Sequence, residues 1–433
     1  MKTAVYGCGI TGEAAARLSI ELGDETAVFD DNMAAAEKLS KKLGVKIHNN
    51  ITDIVLYDRI VVSPKAFFSE RFRALRGSYE VISEIDFAYA NSRCRIAAVT
   101  GSNGKTTVTK MVSEILTCAG VRAVAVGNIG VPFSAECGKL GENDVAVTEL
   151  SSYQLAASRI FHAEAGALLN ITPDHLDVHR SFEDYMTQKK KVFMNMTPSD
   201  RAVMNAHDGR TAVKTVAEKV FFSAYGEKAE AVLKGGTLYY CGEKIINRTD
   251  MKLSGLFNME NALAAICLSA AFGVGKECMA QALADFVPDA HRMEVCGEAG
   301  GVRFVDDSKA TNPAAALAAV ENTGGRLAVI LGGSRKNTDF TELVRGIKRK
   351  GAYVLLYGEC ASEIAETAEK CGYREFIEVR DVGEGAEKGY EILKEGGGTV
   401  LLSPACASFD MYADYAERGE EFKRAVEKLR RNG

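Results

Sequence analysis

No apolar run in this 433-residue chain reaches the ~18 residues of a membrane-spanning helix, and Glu13, Glu21 and Asp24 spoil the N-terminal stretch as a signal peptide. Both absences predict a protein that stays in the cytoplasm. The 11 cysteines include no Cys-x-x-Cys pair and no zinc-like spacing, so most of them are expected to be reduced core thiols. Positive charge is not in excess either. A net charge of −5 argues against broad nucleic-acid binding, yet it permits anionic small substrates wherever Lys and Arg cluster locally. There is no low-complexity segment and no short repeat. What remains is 47% hydrophobic and 26% charged, the balance of a soluble globular protein long enough for about two to four domains.

The most informative stretch is Arg95-Ile96-Ala97-Ala98-Val99-Thr100-Gly101-Ser102-Asn103-Gly104-Lys105-Thr106-Thr107. It reads as an apolar strand, a glycine-rich turn and a helix start, which together make a phosphate site. Backbone N–H groups at the turn and helix N-terminus face a polyphosphate, Lys105 adds a point charge, and a Thr hydroxyl holds Mg²⁺. The strict eight-residue P-loop pattern fails, because its first Gly would fall at Val99.

The chain opens with a second nucleotide signal. Thr3–Tyr6, then Gly7-Cys8-Gly9-Ile10-Thr11-Gly12, a helical Glu13–Leu22 and Ala27–Asp31 follow the strand, glycine turn, helix and acid-ended strand of a dinucleotide fold. Its literal reading is NAD binding, although the same turn receives other diphosphates. Short units at Ile54–Asp58, Ile60–Ser63 and Val81–Glu84 complete a domain of about 90 residues, and polar Asn91–Cys94 reads as a linker. After the phosphate helix come Val121–Val126, Gly127-Asn128-Ile129-Gly130 and a strand from Asp144 ending at Glu149. An acid at a strand's carboxyl end sits where open α/β sheets bind ligands, which makes Glu149 a candidate Mg²⁺ ligand; capping is the plainer alternative. Asp174, His175, Asp177 and His179 follow the strand Ala165–Asn170, and both a metal site and a polar turn fit them. A helix over Phe182–Met196 carries Lys189-Lys190-Lys191, in which nothing intrinsic marks one lysine. Asn258 and Asn261 are spaced to share a helix face. A boundary near Pro288–Glu294 leads to a third α/β region with strands at Val302–Val305, Leu327–Leu331, Tyr353–Tyr357 and Val400–Leu402. Polar clusters after these strands place Lys309, Lys336 and Ser408 where one anionic ligand can meet them. The whole reads as three doubly wound α/β domains.

Together these motifs resemble the Mur ligase family of ATP-dependent amide-forming enzymes over the whole chain. The most specific markers are Thr100–Thr107, Glu149-Leu-Ser-Ser-Tyr-Gln154, Asp174-His175, His291-Arg292 and Asp307-Ser-Lys-Ala-Thr-Asn312. Gly7–Gly12, Gly127–Gly130 and Leu402–Ser408 favour the member that adds D-glutamate to UDP-N-acetylmuramoyl-L-alanine. The resemblance implies an N-terminal Rossmann-like UDP-binding domain (1–92), a central P-loop ATPase-like domain binding ATP and Mg²⁺ (93–288) and a C-terminal Rossmann-like amino-acid domain (289–433). It implies that Gly9, Ile10, Thr11 and Asp30 lie near the uridine nucleotide, and that Asn128, Ser151, Ser152 and Gln154 face the muramoyl peptide. Gly101, Ser102, Asn103, Gly104, Lys105, Thr106 and Thr107 would take the ATP phosphates, Asn258 and Asn261 the adenine, Arg292 the γ-phosphate and Asp307 the ribose. Lys309, Thr311, Lys336, Ser408 and Tyr415 would receive D-glutamate. Two Mg²⁺ sites would draw on Thr106, Glu149, His175 and a carbamylated lysine, placed at Lys189 by its spacing from Tyr185. Lys65 departs from the family, which has Gly there. The expected enzyme is a monomer acting on small molecules, with Lys105, Glu149, His175, Lys189 and Arg292 as its catalytic set.

Overall fold

The computed structural model describes residues 1–75, 81–175, 178–253, 255–335 and 338–432. Three sheets follow one another along the chain. The first holds β1 (Lys2–Tyr6), β2 (Glu25–Phe29), β3 (Lys46–Ile47), β4 (Arg59–Val62) and β5 (Val81–Ser83), all parallel in the order β3-β2-β1-β4-β5. The second contains β6 (Arg95–Thr100), β7 (Ala123–Gly127), β8 (Val145–Glu149), β9 (Ala165–Leu168), β10 (Arg201–Asn205), β11 (Glu218–Ser223), β12 (Ala231–Lys234), β13 (Thr237–Tyr240) and β14 (Glu243–Asn247). Their order is β14-β13-β12-β11-β10-β9-β6-β8-β7, with an antiparallel edge from β12 to β14. The third sheet has β15 (Glu294–Ala299), β16 (Val302–Asp306), β17 (Leu327–Gly332), β18 (Tyr353–Tyr357), β19 (Phe376–Glu378) and β20 (Gly398–Ala405), ordered β15-β16-β20-β17-β18-β19, with β15 antiparallel. The three-domain α/β expectation therefore holds, sheet by sheet.

The central strands are apolar throughout because helices cover both faces of a parallel sheet. In β6, Ile96 to Thr100 are all buried, and β8 and β9 flank it. The glycine turn that follows thus leaves the middle of the second sheet. In the first sheet, a Cβ at Gly12 would lie 1.6 Å from the Gly7 carbonyl oxygen, so only glycine lets helix Ile10–Glu21 approach the turn.

The chain forms two compact units. One comprises Met1–Ser254 with Asn258–Phe286; the other comprises Gly255–Phe257 with Val287–Gly433. Within the first unit, the first two sheets share an apolar core in which Val5, Val28 and Val61 join Ala98, Ala146 and Leu168. Two buried acids fasten them. Glu84 Oε1 accepts from the Ser134 backbone N–H (2.9 Å) and hydroxyl (2.6 Å), and Asp86 accepts from the backbone N–H groups of Arg159 (2.6 Å) and Phe161 (3.0 Å). Burial raises the Glu84 pKa.

Three local expectations change. The stretch at Ile54–Asp58 is not extended: Ile51–Leu56 forms a 3-10 helix whose N-cap Asn50 accepts from Thr52 N–H. The helix from Phe182 ends at Lys190, because Asn195 takes φ +61° and donates its amide to the Arg159 and Phe161 carbonyls, turning the chain. All 11 cysteines are free, but only Cys137, Cys267, Cys360 and Cys406 are buried. Among the described residues no helix is long and apolar enough to cross a membrane.

Candidate active site

The turn after β6 is shaped by its own polar side chains. Ser102 Oγ donates to the Thr172 carbonyl (2.9 Å) and hydrogen-bonds the Tyr185 hydroxyl (2.9 Å). Asn170 accepts from Asn103 N–H (2.9 Å) and donates to the Asn103 carbonyl (3.1 Å). Gly104 enters helix Lys105–Cys118 at φ +86°, and a Cβ there would lie 2.3 Å from Asn261 Oδ1. Asn261 in turn donates to Asn258 Oδ1 at 3.4 Å, so the two asparagines do share a helix face, beside the turn. Thr107 is buried and Thr106 half-buried in the first helical turn.

Two lysines meet at this turn. Lys105 Nζ donates to the carbonyls of Gly101 (3.0 Å) and Ser102 (2.8 Å), and Lys189 Nζ donates to the Gly101 carbonyl (2.7 Å). Of the three consecutive lysines, only Lys189 is buried; Lys191 reaches the Ala156 carbonyl instead. Burial and then the charge of Lys105 push the Lys189 pKa well below the usual lysine value, against the opposing pull of Asp174 and Glu149. The spacing that left the three lysines alike is thus resolved by burial.

Glu149, the last residue of β8, is 1% exposed. Its Oε1 accepts from Asn128 Nδ2 (2.9 Å), whereas its buried Oε2 has no hydrogen-bond partner. A buried carboxylate oxygen left bare costs about 1–3 kcal/mol, and a hard cation satisfies it. His175 takes φ +55°, and its Nδ1 hydrogen-bonds the Tyr153 hydroxyl at 3.1 Å, with Asp174 Oδ2 3.6 Å from Nε2. Glu149 is not the helix cap that the sequence allowed. That role falls to Ser151, which forms a capping box with Gln154, while Ser152 Oγ bonds His179 Nε2 (2.9 Å). In the first sheet, Gly9, Ile10, Thr11 and Asp30 gather at the carboxyl ends of β1 and β2. Asp30 accepts from the N–H groups of Cys8 (2.6 Å) and Asn32 (2.8 Å), and Ile10 is 79% exposed at the helix start. Both the acid and the turn are held open to a ligand there.

In the second unit, Lys309 Nζ lies 3.6 Å from the Tyr415 ring centroid, and Ser308 Oγ donates to the Tyr415 carbonyl (2.7 Å). Ser408 is buried and Thr311 half-buried; Lys336 lies outside the described residues. Asp307 accepts from Ser403 Oγ (2.8 Å) and Met293 N–H (3.2 Å), and burial raises its pKa to about 7. Arg292 sits 3.9 Å from Asp289. Two organising residues carried no sequence signal. Fully buried Arg418 donates to the Ser308 hydroxyl (2.9 Å) and carbonyl (2.7 Å) and to the Cys406 carbonyl (3.1 Å), joining the loops after β16 and β20. Asp306 holds His291 Nδ1 at 2.6 Å and accepts from Ser308 N–H. His291, Glu294 and Asp306 form the one metal-like triad among the described residues, but Lys423 already meets Glu294 at 2.8 Å.

Residues 99–269 match the Mur ligase middle domain family, and residues 291–406 match the family described as Mur ligase, glutamate ligase domain. The UDP-N-acetylmuramoylalanine--D-glutamate ligase of Alkaliphilus metalliredigens is 36% identical, over 100% of this chain and 99% of its own length. The protein of the same name from Alkaliphilus oremlandii is 37% identical, over 99% and 98%. Among solved structures, a MurF ligase from Thermotoga maritima in complex with ADP superimposes with a TM-score of 0.61 at 19% identity, covering 87% of this chain and 91% of its own, a likeness of fold. Full-length identity of this order, joined to a phosphate turn, an acid-ended strand and a third sheet in the expected places, means that the chain belongs to the Mur ligase family.

Proposed function

We propose that the protein joins D-glutamate to UDP-N-acetylmuramoyl-L-alanine at the expense of ATP, releasing ADP and phosphate, in peptidoglycan precursor synthesis. The observation that carries this reading is the pairing, around one glycine turn, of Lys105 and buried Lys189 with a Glu149 oxygen that lacks a partner. The L-alanyl carboxylate attacks the γ-phosphate to give an acyl phosphate and ADP. The D-glutamate amine then attacks the acyl carbon, and phosphate leaves as the amide forms.

Residues 1–92 hold the UDP moiety at Gly9, Ile10, Thr11 and Asp30, and residues 93–288 hold ATP at Gly101–Thr107, with Asn258 and Asn261 toward the base. Residues 289–433 supply Arg292 to the γ-phosphate, Asp307 to the ribose, and Lys309, Thr311, Lys336, Ser408 and Tyr415 to D-glutamate. Asn128, Ser151, Ser152 and Gln154 line the peptide side. Mg²⁺ supplies charge neutralisation on the phosphoryl oxygens when bound; Thr106, Glu149 and His175 would hold it, with Lys189 as a carbamate. A neutral, buried Lys189 amine suits carbamate formation, since the product replaces a repelling cation by an anion. The enzyme works as a cytoplasmic monomer. Release of phosphate from Mg²⁺-ATP with UDP-N-acetylmuramoyl-L-alanine, tried with D-glutamate, L-glutamate and L-alanine in turn, tests the reading. Dependence on both the UDP sugar and D-glutamate supports it, and stimulation by another amino acid moves the chain to a different ligase of the family.

A further inference from the structure

The loop after β4 does more than close the first sheet. A Cβ at Gly7 would meet Ser63 Oγ at 2.0 Å, so residues 63–69 form one wall of the first glycine turn. The loop is tied inward by an aromatic row. Phe68 packs edge-on to Phe67 (5.3 Å), Phe67 against Phe72 (5.7 Å) and Phe72 against Tyr6 (5.7 Å), whose hydroxyl bonds Asp31 and Ser69. Its outer face turns to the second sheet. There the Phe68 ring stands edge-on to Tyr153 (5.4 Å, 90°) and to His179 (5.7 Å, 74°).

Each of those two partners reaches a group of the phosphate site. The Tyr153 hydroxyl bonds His175 Nδ1, while His179 packs edge-on to Tyr185 (5.4 Å), whose hydroxyl bonds Ser102 in the turn. Phe68 is not what keeps the two sheets together: Glu84, Asp86 and the shared apolar core do that from elsewhere. It is half-buried, and its contacts serve the loop.

We infer that Phe68 is a positioning residue: it sets the sugar-nucleotide loop against the Tyr153–His175 pair, so that a UDP sugar held at the first turn presents its carboxylate at a fixed place beside the second. The inference rests on the proposed reaction. A side chain acting on another group's orientation changes substrate affinity and turnover without contacting the reacting atoms.

The test begins with the intact enzyme: calorimetric binding of UDP-N-acetylmuramoyl-L-alanine, then turnover with each substrate varied. If wild-type protein does not bind the UDP sugar, the functional reading falls and this inference with it. If it binds, Phe68→Ala is expected to weaken that binding and raise the KM for the UDP sugar about ten-fold, the scale of two lost edge-to-face contacts. The KM for ATP and D-glutamate and the melting temperature should stay unchanged, and Phe68→Tyr should restore the wild-type values. Phe68→Ala combined with Tyr153→Ala should be no worse than the worse single variant, because both break the same row. Unchanged UDP-sugar affinity in Phe68→Ala, equal rises in all three KM values with a lower melting temperature, or single effects that multiply would each overturn the inference.

Discussion

Replacing Gly104 by alanine isolates the geometry on which the phosphate site depends. The residue sits at φ +86°, where an L side chain costs about 1–2 kcal/mol. The added Cβ would also lie 2.3 Å from Asn261 Oδ1. Asn261 is 2% exposed and bonded to Asn258, so it cannot swing away freely, and overpacking of this kind costs about 1–3 kcal/mol. The two effects together predict a loss of roughly 3 kcal/mol, or about a hundred-fold in ATP affinity if the turn distorts to relieve them. ATP titration by calorimetry and thermal melting measure both consequences. Gly209→Ala is the control, because its φ is not positive and nothing lies within 4 Å of its Cβ position. Adding Asn261→Ala to Gly104→Ala removes the clash but leaves the backbone conformation, so melting should recover in part. Wild-type melting and affinity in Gly104→Ala would refute the reasoning, and full recovery in the double variant would refute its backbone half.

Lys105→Ala should abolish ATP-dependent phosphate release while the fold melts normally, since the only other amine at the turn, Lys189, is pushed toward neutrality by burial. Lys189→Ala should cripple turnover, with partial rescue by short-chain carboxylates that replace the carbamate; rescue at Lys190→Ala instead would contradict the burial argument. Asp307→Asn should change the pH dependence of stability. With its pKa raised to about 7, Asp307 holds its proton in the native state across a range where the unfolded chain has already lost it. Its contribution therefore falls as pH rises from about 4 to 7 and levels off above. The melting temperature of the Asn variant relative to wild type should climb between pH 5 and 7, and a constant difference would count against a buried, late-ionising carboxyl.

Strands with unbroken apolar runs were legible, as at β6, β16, β17, β18 and β20, because a buried parallel strand has to be apolar on both faces. The short and half-polar strands β10 to β14 and the β15 edge left no such mark, and neither did the 3-10 turn at Ile51–Leu56, where an Asn cap outweighs β-branched residues. In the site, residues whose chemistry acts through the backbone or along one helix were readable: the glycine turn, Lys105, Glu149 and the Asn258–Asn261 pair. Contacts between segments distant in sequence were not. Nothing near Arg418 announces that its guanidinium ties the loops after β16 and β20, and Phe68 looks like one more core phenylalanine until its two partners are seen.

The distribution of charge at the phosphate turn argues for function on its own. A buried amine beside a second cation and a buried carboxylate oxygen without a donor each work against folding. Apolar residues at Lys189 and Glu149 would remove both penalties and fit an interior that is otherwise apolar, as Leu150, Leu168 and Ile171 around them are. The two defects are complementary in sign, and they face one turn whose backbone N–H groups open toward an anion. A polyphosphate together with a hard cation satisfies all three at once, whereas a phosphate alone leaves Glu149 bare and a cation alone leaves the turn empty. Nucleotide and metal are therefore expected to bind this site cooperatively, each lowering the cost of the other.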